Sequence, residues 1–220
     1  LPFTSVSYRF AGIDGEGESY YDPSNLQDGE NIRSSASLNT QGLPTGIYPI
    51  EIYNTTYFGL GRSTVSSVFK SRVTVINEID SPYGAGWLLD GIDKLSAAPD
   101  GDQLLISSRH DTVIYKKSSL TDDYSTPDAD FTQLTKTPNG EHTLSNKYGE
   151  QQRFDTEGKQ IATIDRHQNT TRYEYSGDKL QRIIDPTGQT TTLSYLSEHL
   201  QSITDPSGRR THFTHNADGD

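Results

Sequence analysis

The feature that most constrains the fold is a sequence repeat of fixed length near the end of the chain. Asp165, Asp185 and Asp205 follow one another at intervals of 20 residues. Ten residues after each of these aspartates lies a ring-bearing side chain, namely Tyr175, Tyr195 and His215. A regular period of this length is typical of stacked supersecondary units rather than of an independently folded globule. We therefore expect the chain to hold the beginning of a larger assembly of such units.

The repeat also contains a recognisable turn. The sequences DPTG (185–188) and DPSG (205–208) place Asp, Pro and Gly at the positions that a type I turn prefers. Proline fixes its own φ angle and favours an extended conformation in the residue before it, so a strand should end at each aspartate. The predicted turn residues of the repeat are Asp165, Asp185, Pro186, Gly188, Asp205, Pro206 and Gly208.

The residues between the turns alternate with the period of a β-strand. Tyr173 and Tyr175 are expected on one face of a strand, with Arg172 and Glu174 on the other. A polar break at residues 176–179 precedes the next apolar run, so each unit is predicted to be a two-stranded hairpin. One hairpin cannot bury its apolar face alone, and many in succession would pair into a long sheet. The alternative is an ordinary antiparallel meander whose regularity is accidental.

Composition supports an all-β chain and limits its function. Hydrophobic residues make up only 30% of the sequence, which is thin for a compact α/β enzyme but suits extended β architecture with 13 Tyr. No segment has a clear helical period. The formal charge of −11 disfavours direct binding to nucleic acid. There is no cysteine, no apolar segment of transmembrane length and no visible signal peptide, and a chain that starts at Leu1 without any Met is expected to be a piece of a longer protein.

Three regions are expected along the chain. Residues 1–80 contain short alternating segments, such as those around Ile50 and Val73, and predict a small β-sandwich. Pro49 cannot donate a ladder hydrogen bond, so its strand should start there or lie at a sheet edge. Residues 81–95 are a connecting segment rich in glycine, and residues 96–220 are predicted to hold the repeat hairpins. Within them, the polar stretch 117–130 is expected to be an exposed loop.

The connecting segment opens with the sequence SPYGAGW at residues 81–87. Pro82, Gly84 and Gly86 permit a tight backbone path, and Trp87, the only tryptophan of the chain, follows directly. A lone tryptophan is most often a buried anchor of a core, and the alternative is a ligand contact. We expect these four residues to lie where the first region meets the repeats.

These motifs resemble a known family. The DPxG hairpins with their aromatic strands (165–215) look like the YD repeats of bacterial Rhs proteins, toxin-complex C components and teneurins. LPTGIYPIEI (43–52) and VINEIDSPYGAGWLLDGIDKL (75–95) resemble the segment just before the repeats of Rhs proteins, where a fibronectin-like plug domain leads into the shell. The resemblance covers about residues 40–215, and SPYGAGW is its most specific element.

The resemblance implies a hollow container. In such proteins the repeat ribbon spirals into a β-shell, a plug closes one end, and in bacterial toxins the shell encloses a C-terminal toxin domain until delivery. The implied partners of this chain are the rest of the shell, the enclosed toxin and secretion machinery, and the implied location is secreted or at the cell surface. The alternatives are a teneurin-like surface adhesin that binds glycans or proteins and, more weakly, a fragment of a β-rich hydrolase.

Catalytic chemistry is not expected in this segment. Relatives often cut themselves with aspartates in DPxGL-like motifs, but Gln189 and Arg209 stand here where that motif has an apolar residue. Asp185 and Asp205 are therefore predicted to be turn residues rather than a catalytic pair. The six histidines form no cluster with ligand spacing, since His212 and His215 would point to opposite faces of a strand. We expect no cofactor, metal or enzymatic activity.

Overall fold

The computed structural model describes residues 3–15, 18–22, 24, 27, 30–31, 33, 35, 37–58, 64–119 and 123–216. Strands account for 52% of the chain and helix for 1%, all in antiparallel sheets, which confirms the all-β prediction. The chain divides into two compact units, Leu1–Val75 and Ile76–Asp220. The sequence had placed this boundary five residues later, after residue 80.

The N-terminal unit contains one five-stranded sheet. Its strands are β1 (Phe3–Phe10), β2 (Ile13–Asp14), β3 (Ser19–Tyr21), β4 (Gly46–Tyr57) and β5 (Val65–Val75). The order is β2-β1-β4-β5, and β3 pairs with β1 as well. The ladder between β4 and β5 runs from the pair Gly46 and Val75 to the pair Thr56 and Val65, so these two long strands form the body of the sheet.

A second facing sheet, as the sandwich prediction requires, does not occur among the described residues of this unit. The buried side chains Phe10, Ile50 and Val75 form the core of the single sheet. Leu38 and Leu43, from the segment that leads into β4, pack against them. The residues just before β4 thus supply the apolar cover that the prediction assigned to a second layer of strands.

Pro49 lies inside β4 rather than at its start. Its carbonyl accepts a hydrogen bond from the Ala11 amide at 3.0 Å, so the backbone groups of Pro49 face the β1 side of the strand. The ladder with β1 ends one residue away, at the pair Phe10 and Ile50. The missing N–H therefore falls beyond the end of the β1 ladder, which agrees with the rule that places proline at a local sheet edge.

The C-terminal unit contains a four-stranded and a nine-stranded sheet. The first has the order β6-β7-β8-β9, with β6 (Lys94–Ala97), β7 (Gln103–Ile106), β8 (Thr112–Lys117) and β9 (Tyr124–Ser125). The second runs from β10 to β18 in chain order, so each strand pairs with the strands before and after it. Its strands are β10 (Thr132–Lys136), β11 (His142–Asn146), β12 (Gln151–Phe154), β13 (Gln160–Ile164), β14 (Thr170–Ser176), β15 (Lys179–Ile184), β16 (Thr190–Leu196), β17 (His199–Thr204) and β18 (Arg210–His212).

One apolar row runs through both of these sheets. Each strand from β6 to β12 contributes one buried side chain to a common cluster: Leu95, Leu105, Tyr115, Tyr124, Leu134, Leu144 and Phe154. Successive members are ten residues apart, with one step of nine. The hairpin period therefore extends back to residue 94, well before the stretch where the sequence repeat is visible. Tyr124, in the stretch expected to be an exposed loop, is only 8% exposed, so that expectation is wrong at this residue; residues 120–122 lie outside the described part.

The same turn recurs between the strands. In eight turns the first residue donates its N–H to the carbonyl of the residue four positions later and accepts the N–H of the residue three positions later. This is the pattern of a three-residue hairpin loop whose last residue takes a positive φ angle. The first residues of these turns are Ala98, Ser107, Thr137, Asn146, Asp155, Asp165, Asp185 and Asp205. Most of the positive-φ positions are glycine, as at Gly188 (86°), but Gln168 (67°) and His110 (63°) are not.

Candidate functional site: the repeat sheet and the segment packed on it

The aspartates of the repeat hold their own turns. Oδ1 of Asp185 accepts hydrogen bonds from the N–H groups of Thr187 at 2.8 Å and Gln189 at 2.9 Å. Asp165 and Asp205 each accept the equivalent pair of N–H groups in their turns. Pro186 and Gly188, like Pro206 and Gly208, occupy the two other fixed positions of the loop. In these three turns a short side-chain acceptor at the first position therefore adds two hydrogen bonds to those of the main chain.

These contacts lower the pKa of each carboxyl. The Thr187 hydroxyl is the main reason for the lowered pKa of Asp185, and the side chain of Asn169 plays that part for Asp165. Desolvation acts to raise the pKa of Asp205, but the contacts with Arg209 outweigh it and the pKa is lowered. In a proton-sharing catalytic pair one pKa is raised by the charge of the other carboxylate. Asp185 and Asp205 have the opposite property, and each is engaged within its own turn.

A ring-to-carbonyl hydrogen bond repeats along the sheet. The hydroxyl of Tyr195 donates to the carbonyl of Leu180 at 2.8 Å. One repeat further, Nε2 of His215 makes the same contact with the carbonyl of Leu200 at 2.7 Å. Histidine thus substitutes for tyrosine at the repeat position that the 20-residue spacing had identified. Both side chains have a flat ring with a hydrogen-bond donor at its outer end, so either can pack on the sheet and donate to the carbonyl of the preceding strand.

A lysine contact repeats in the same way on the loops at the other end of the hairpins. Nζ of Lys159 lies 3.0 Å from a carboxylate oxygen of Asp178, and Nζ of Lys179 lies 3.1 Å from one of Glu198. Each ammonium group also donates to a main-chain carbonyl of the neighbouring loop, at 2.9 Å and 2.6 Å. Successive hairpins are therefore linked by one cation for each repeat. Sequence reasoning missed this link, although the 20-residue spacing of the two lysines was visible.

Bulges occur at matching positions of the hairpins. The register between β14 and β15 shifts at Glu174/Tyr175, and that between β16 and β17 shifts at Ser194/Tyr195, 20 residues later. A third shift lies at Arg153/Phe154, between β12 and β13. In each case the second residue of the bulge is aromatic. A bulge bends its strand and increases the local twist, so the part of the sheet from β12 to β17 bends once in each hairpin.

The connecting segment packs on the apolar face of this sheet. Leu180, Leu193 and Leu200 form the buried centre of a cluster that the segment covers with Tyr83, Leu89 and Ile92. Tyr173, Tyr175 and Tyr195 belong to the same cluster, so the two tyrosines predicted to share a face of β14 do so. A main-chain hydrogen bond of 2.7 Å from the amide of Leu200 to the carbonyl of Pro82 fixes the segment on β17.

Burial of this cluster changes the acidity of its tyrosines. Burial raises the pKa of Tyr83 to about 12, although a hydrogen bond with Tyr195 acts in the opposite direction. Burial is also the main reason for the raised pKa values of Tyr175 and Tyr195, and the neighbouring hydroxyl of Tyr83 adds to both. All three phenols are therefore held in the neutral form, and the site offers hydroxyl groups rather than phenolates.

Trp87 is not the buried anchor that the sequence predicted. Its side chain is 64% exposed, whereas Tyr83, four residues earlier, enters the cluster on the sheet. The physical reason is the tight path of the segment. Gly84 and Gly86 adopt φ angles of 124° and 77°, and the amide of Gly86 returns to the carbonyl of Glu78 at 2.8 Å. The chain turns back on itself, and Trp87 is left on the outside of that turn.

A buried amide clamps the end of the segment to the sheet. The side chain of Gln160 is fully buried, and its Oε1 accepts the amide of Asp93 at 2.8 Å. The carboxylate of Asp93 in turn accepts hydrogen bonds from Nε2 of Gln152 at 2.8 Å and from the amide of Ser108 at 3.1 Å. Next to this clamp, the amide of Leu95 donates to the carbonyl of Gly158 at 2.9 Å. No sequence signal had pointed to Gln160, because glutamine is seldom a fully buried residue.

The last strand of the sheet is short and open. β18 pairs with β17 through Ser202 and His212, Ile203 and Thr211, and Thr204 and Arg210. No other strand pairs with β18 within the described part of the chain. All three residues of β18 are exposed. This edge presents the backbone groups to which one further strand could pair.

The histidines and carboxylates do not form a metal centre in the described residues, since no group of three or more potential ligands lies together there. The rings of His199 and His215 do lie together, with centroids 5.0 Å apart. The sequence had suggested no pairing between these two histidines, which are 16 residues apart in the chain. No helix in the described ranges is long and apolar enough to cross a bilayer.

Comparison with known proteins assigns the chain to no family. No protein-family model matches the sequence, and no curated protein matches it either. The likeness to YD-repeat proteins therefore remains an expectation from the motifs.

Proposed function

We propose that this chain is a structural segment of a container: part of the wall of a β-shell, with its N-terminal unit as a plug, that shields a C-terminal toxin domain in a bacterial Rhs-like protein. The observation that carries the proposal is the regular placement of the bulges at Glu174/Tyr175 and Ser194/Tyr195. With the shift at Arg153/Phe154, three consecutive hairpins from β12 to β17 each carry one bulge. A sheet that bends in this way and grows in chain order can be lengthened into a curved wall without rearrangement.

Two further features support a wall. The contacts of Tyr195 and His215 with the carbonyls of the preceding strand repeat with the hairpins, so each added unit can be fixed to the one before it. The open edge of β18 can accept the next strand, and enclosure is one way in which β proteins remove such edges. The proposed partners are the rest of the shell, the enclosed domain and secretion machinery, and the proposed location is secreted or at the cell surface.

Hydrogen exchange at β18 tests whether the wall continues. We expect the amides of Arg210 and His212, which face away from β17, to exchange quickly in the 220-residue chain and to become protected in a longer parent protein that continues the repeats. The internal strand β16 serves as the control, because it is already paired on both sides and should be protected in both proteins. If the amides of Arg210 and His212 exchange equally fast in the two proteins, the edge is not continued and the wall proposal is wrong.

Limited proteolysis and electron microscopy of the parent protein test enclosure itself. A closed shell should appear as a hollow particle, and the C-terminal domain inside it should resist a protease that cleaves the same domain when it is made alone. An open ribbon in the images, or a C-terminal domain that is cut at the same rate in both forms, contradicts encapsulation.

A second candidate function, a surface adhesin, is favoured by one observation. Phe131 and Tyr148 are both 68% exposed, and Nζ of Lys147 lies 4.3 Å and 5.1 Å from the centroids of their rings. Exposed aromatic rings of this kind can stack on sugars or on a partner protein. Glycan-array binding by the wild type that is lost in Phe131→Ala and Tyr148→Ala would support this function. No binding by the wild type, or binding that both variants retain, would exclude these rings as its basis.

A further inference from the structure

Glu78 lines a cleft between residues 77–94 and the repeat sheet, and one oxygen of its carboxylate accepts no hydrogen bond. The cleft has a volume of about 400 Å³. Residues 77–94 form one wall, and Glu157, Lys159, Tyr175 and Asp178 of the hairpins form the other. The oxygen is Oε1 of Glu78, which is buried and has no hydrogen-bond donor within reach among the residues that the structure describes.

The backbone of Glu78 is held by the tight turn that follows it. Its main-chain carbonyl accepts the amides of Ser81 at 3.1 Å and Gly86 at 2.8 Å, so the tight turn of the segment holds it in place. Its side chain is only 10% exposed. Nζ of Lys94 lies 3.8 Å from Oε1, which is too far for a hydrogen bond, and the Lys94 side chain remains half in solvent. A buried carboxylate oxygen without a donor is costly, so this oxygen favours a ligand that brings one.

The charge of the cleft selects a cation. Five acidic residues and two lysines line it, which gives a formal charge of −3. The acidic residues are Glu78, Asp80, Asp93, Glu157 and Asp178. Lys159 is already engaged by Glu157 at 2.5 Å and by Asp178 at 3.0 Å, and it cannot also serve Glu78. Since the described residues offer no cluster of three or more metal ligands, an organic cation fits the cleft better than a metal ion.

The walls favour a flat cation with several donors. The rings of Tyr83 and Tyr175 line the cleft beside the carboxylates. A guanidinium group stacks on aromatic rings and carries five N–H donors in one plane. It is also more weakly hydrated than an ammonium group, so it loses less when it enters a partly buried site.

We propose that this cleft binds an arginine side chain of a basic polypeptide segment, whose guanidinium group donates to Oε1 of Glu78. The binding site goes beyond the proposed container function, because it concerns one cleft of the chain and holds whether or not the repeats close into a shell.

Titration with a matched pair of peptides tests the site. The probes are a blocked Gly-Arg-Gly peptide and the same peptide with citrulline, which keeps the shape of arginine but has a neutral urea group. Binding is followed by calorimetry and by the fluorescence of Trp87, the only tryptophan of the chain. We expect saturable binding of the arginine peptide and at least tenfold weaker binding of the citrulline peptide. Absent binding, or equal binding of the two peptides, would overturn the proposal.

Variants of the 220-residue chain then assign the binding to Glu78. Glu78→Gln should weaken the arginine peptide at least tenfold, whereas Lys94→Met should tighten it by removing the competing cation near Oε1. Glu174→Gln, which removes one negative charge from the Arg182 ion pair on the repeat sheet, is the matched control and should change binding less than twofold. Equal weakening by Glu78→Gln and Glu174→Gln would mean that only net charge is sensed. If Glu78→Gln does not fold, Lys94→Met decides alone, and unchanged or weaker binding in that variant overturns the proposal.

Discussion

The two halves of the C-terminal unit build the same kind of hairpin with different residues. In the first half, β6 to β12, each strand contributes one buried apolar side chain, and these meet in a single row that ends at Phe154. In the second half, β13 to β18, the buried side chains are fewer, and the connecting segment covers them through Tyr83. The turn sequences show the reverse: they are regular in the second half, which alone contains the Asp-Pro-x-Gly sequence, and vary in the first half.

The difference shows that the period can be encoded in the core or in the turns. The first half keeps a spacing of about ten residues through its buried positions, while its turns start with Ala98, Ser107, Thr137 or Asn146. The second half keeps the 20-residue period through Asp185 and Asp205 and their proline and glycine partners. Both encodings give the same hydrogen bonds in the turn. Substitutions in the turns should therefore distinguish the two halves, whereas removal of a core side chain should affect both.

Removal of a core side chain is expected to have the largest effect, and to have it in both halves. Phe154→Ala should lower the free energy of unfolding by about 3–5 kcal/mol and Leu180→Ala by about 2–5 kcal/mol, since both side chains are fully buried. Urea unfolding followed by circular dichroism measures both values. Tyr148→Ala, at a side chain that is 68% exposed, is the control and should change stability by less than about 0.5 kcal/mol. A cost for Phe154→Ala as small as that of the control would refute the common row.

A glycine comparison separates the demands of the turn from those of packing. Gly158 and Gly188 occupy the same turn position with φ angles of 84° and 86°. A Cβ atom on Gly188 would meet nothing within 4 Å, but one on Gly158 would lie 2.0 Å from the carbonyl oxygen of Leu95. Gly188→Ala should cost about 0.5–1 kcal/mol, because the strain of about 1–2 kcal/mol in the left-handed conformation is partly offset by about 0.5–1 kcal/mol from the reduced flexibility of the unfolded chain. Gly158→Ala should cost about 1–3 kcal/mol more, because of the clash. Equal costs in thermal unfolding would show that Leu95 does not constrain Gly158.

The sequence was sufficient to predict the β class and the hairpins of the second half. Local turn chemistry at Asp185 and Asp205 determines where the strands end, and it is written in adjacent residues. The position of His215 was also visible, because the spacing aligned it with Tyr195 although the residue type differs. The row in the first half was not recognised as one cluster, because its members change between Leu, Tyr and Phe and the spacing slips by one residue at Tyr124.

The contacts of the connecting segment could not be read from the sequence. Trp87 and Tyr83 are both aromatic, and only the backbone path through Gly84 and Gly86 decides which of them reaches the sheet. The burial of Gln160 depends on the amide of Asp93, which is 67 residues away in the chain. Residue type gives no sign of such a long-range contact, so this part of the candidate site required the structure.

Alkaline pH should affect the second half through its tyrosine cluster. Since the pKa of Tyr83 is raised to about 12, the folded state holds the phenolic proton more tightly than the unfolded chain does. This contribution is complete below pH 10, the ordinary tyrosine pKa, and is lost as the pH rises from 10 towards 12. At pH 11, one pH unit above the pKa of tyrosine in the unfolded chain, the free energy of unfolding should be lower by about 1–1.5 kcal/mol.

Tyr83→Phe isolates this effect from the other groups that titrate at high pH. The stability difference between the wild type and Tyr83→Phe should move in favour of the variant between pH 9 and pH 11, as measured by urea unfolding at each pH. Tyr148→Phe, at an exposed ring, should show no such change. A difference between wild type and Tyr83→Phe that is the same at both pH values would mean that the folded state does not protect this proton.

The turn that begins at Asp165 offers the smallest and most specific test, because it has the geometry of the second half without its glycine. Gln168 stands at the position of Gly188 and adopts a φ angle of 67°, which costs a residue with a Cβ atom about 1–2 kcal/mol. Glycine removes this strain but makes the unfolded chain more flexible, at a cost of about 0.5–1 kcal/mol. Gln168→Gly should therefore stabilise the chain by about 0.5–1 kcal/mol, while Gln168→Ala, which keeps the strain, should bring no gain. Thermal unfolding of the two variants measures the difference, and a lower melting temperature for Gln168→Gly would show that the side chain of Gln168, rather than the φ angle, matters in this turn.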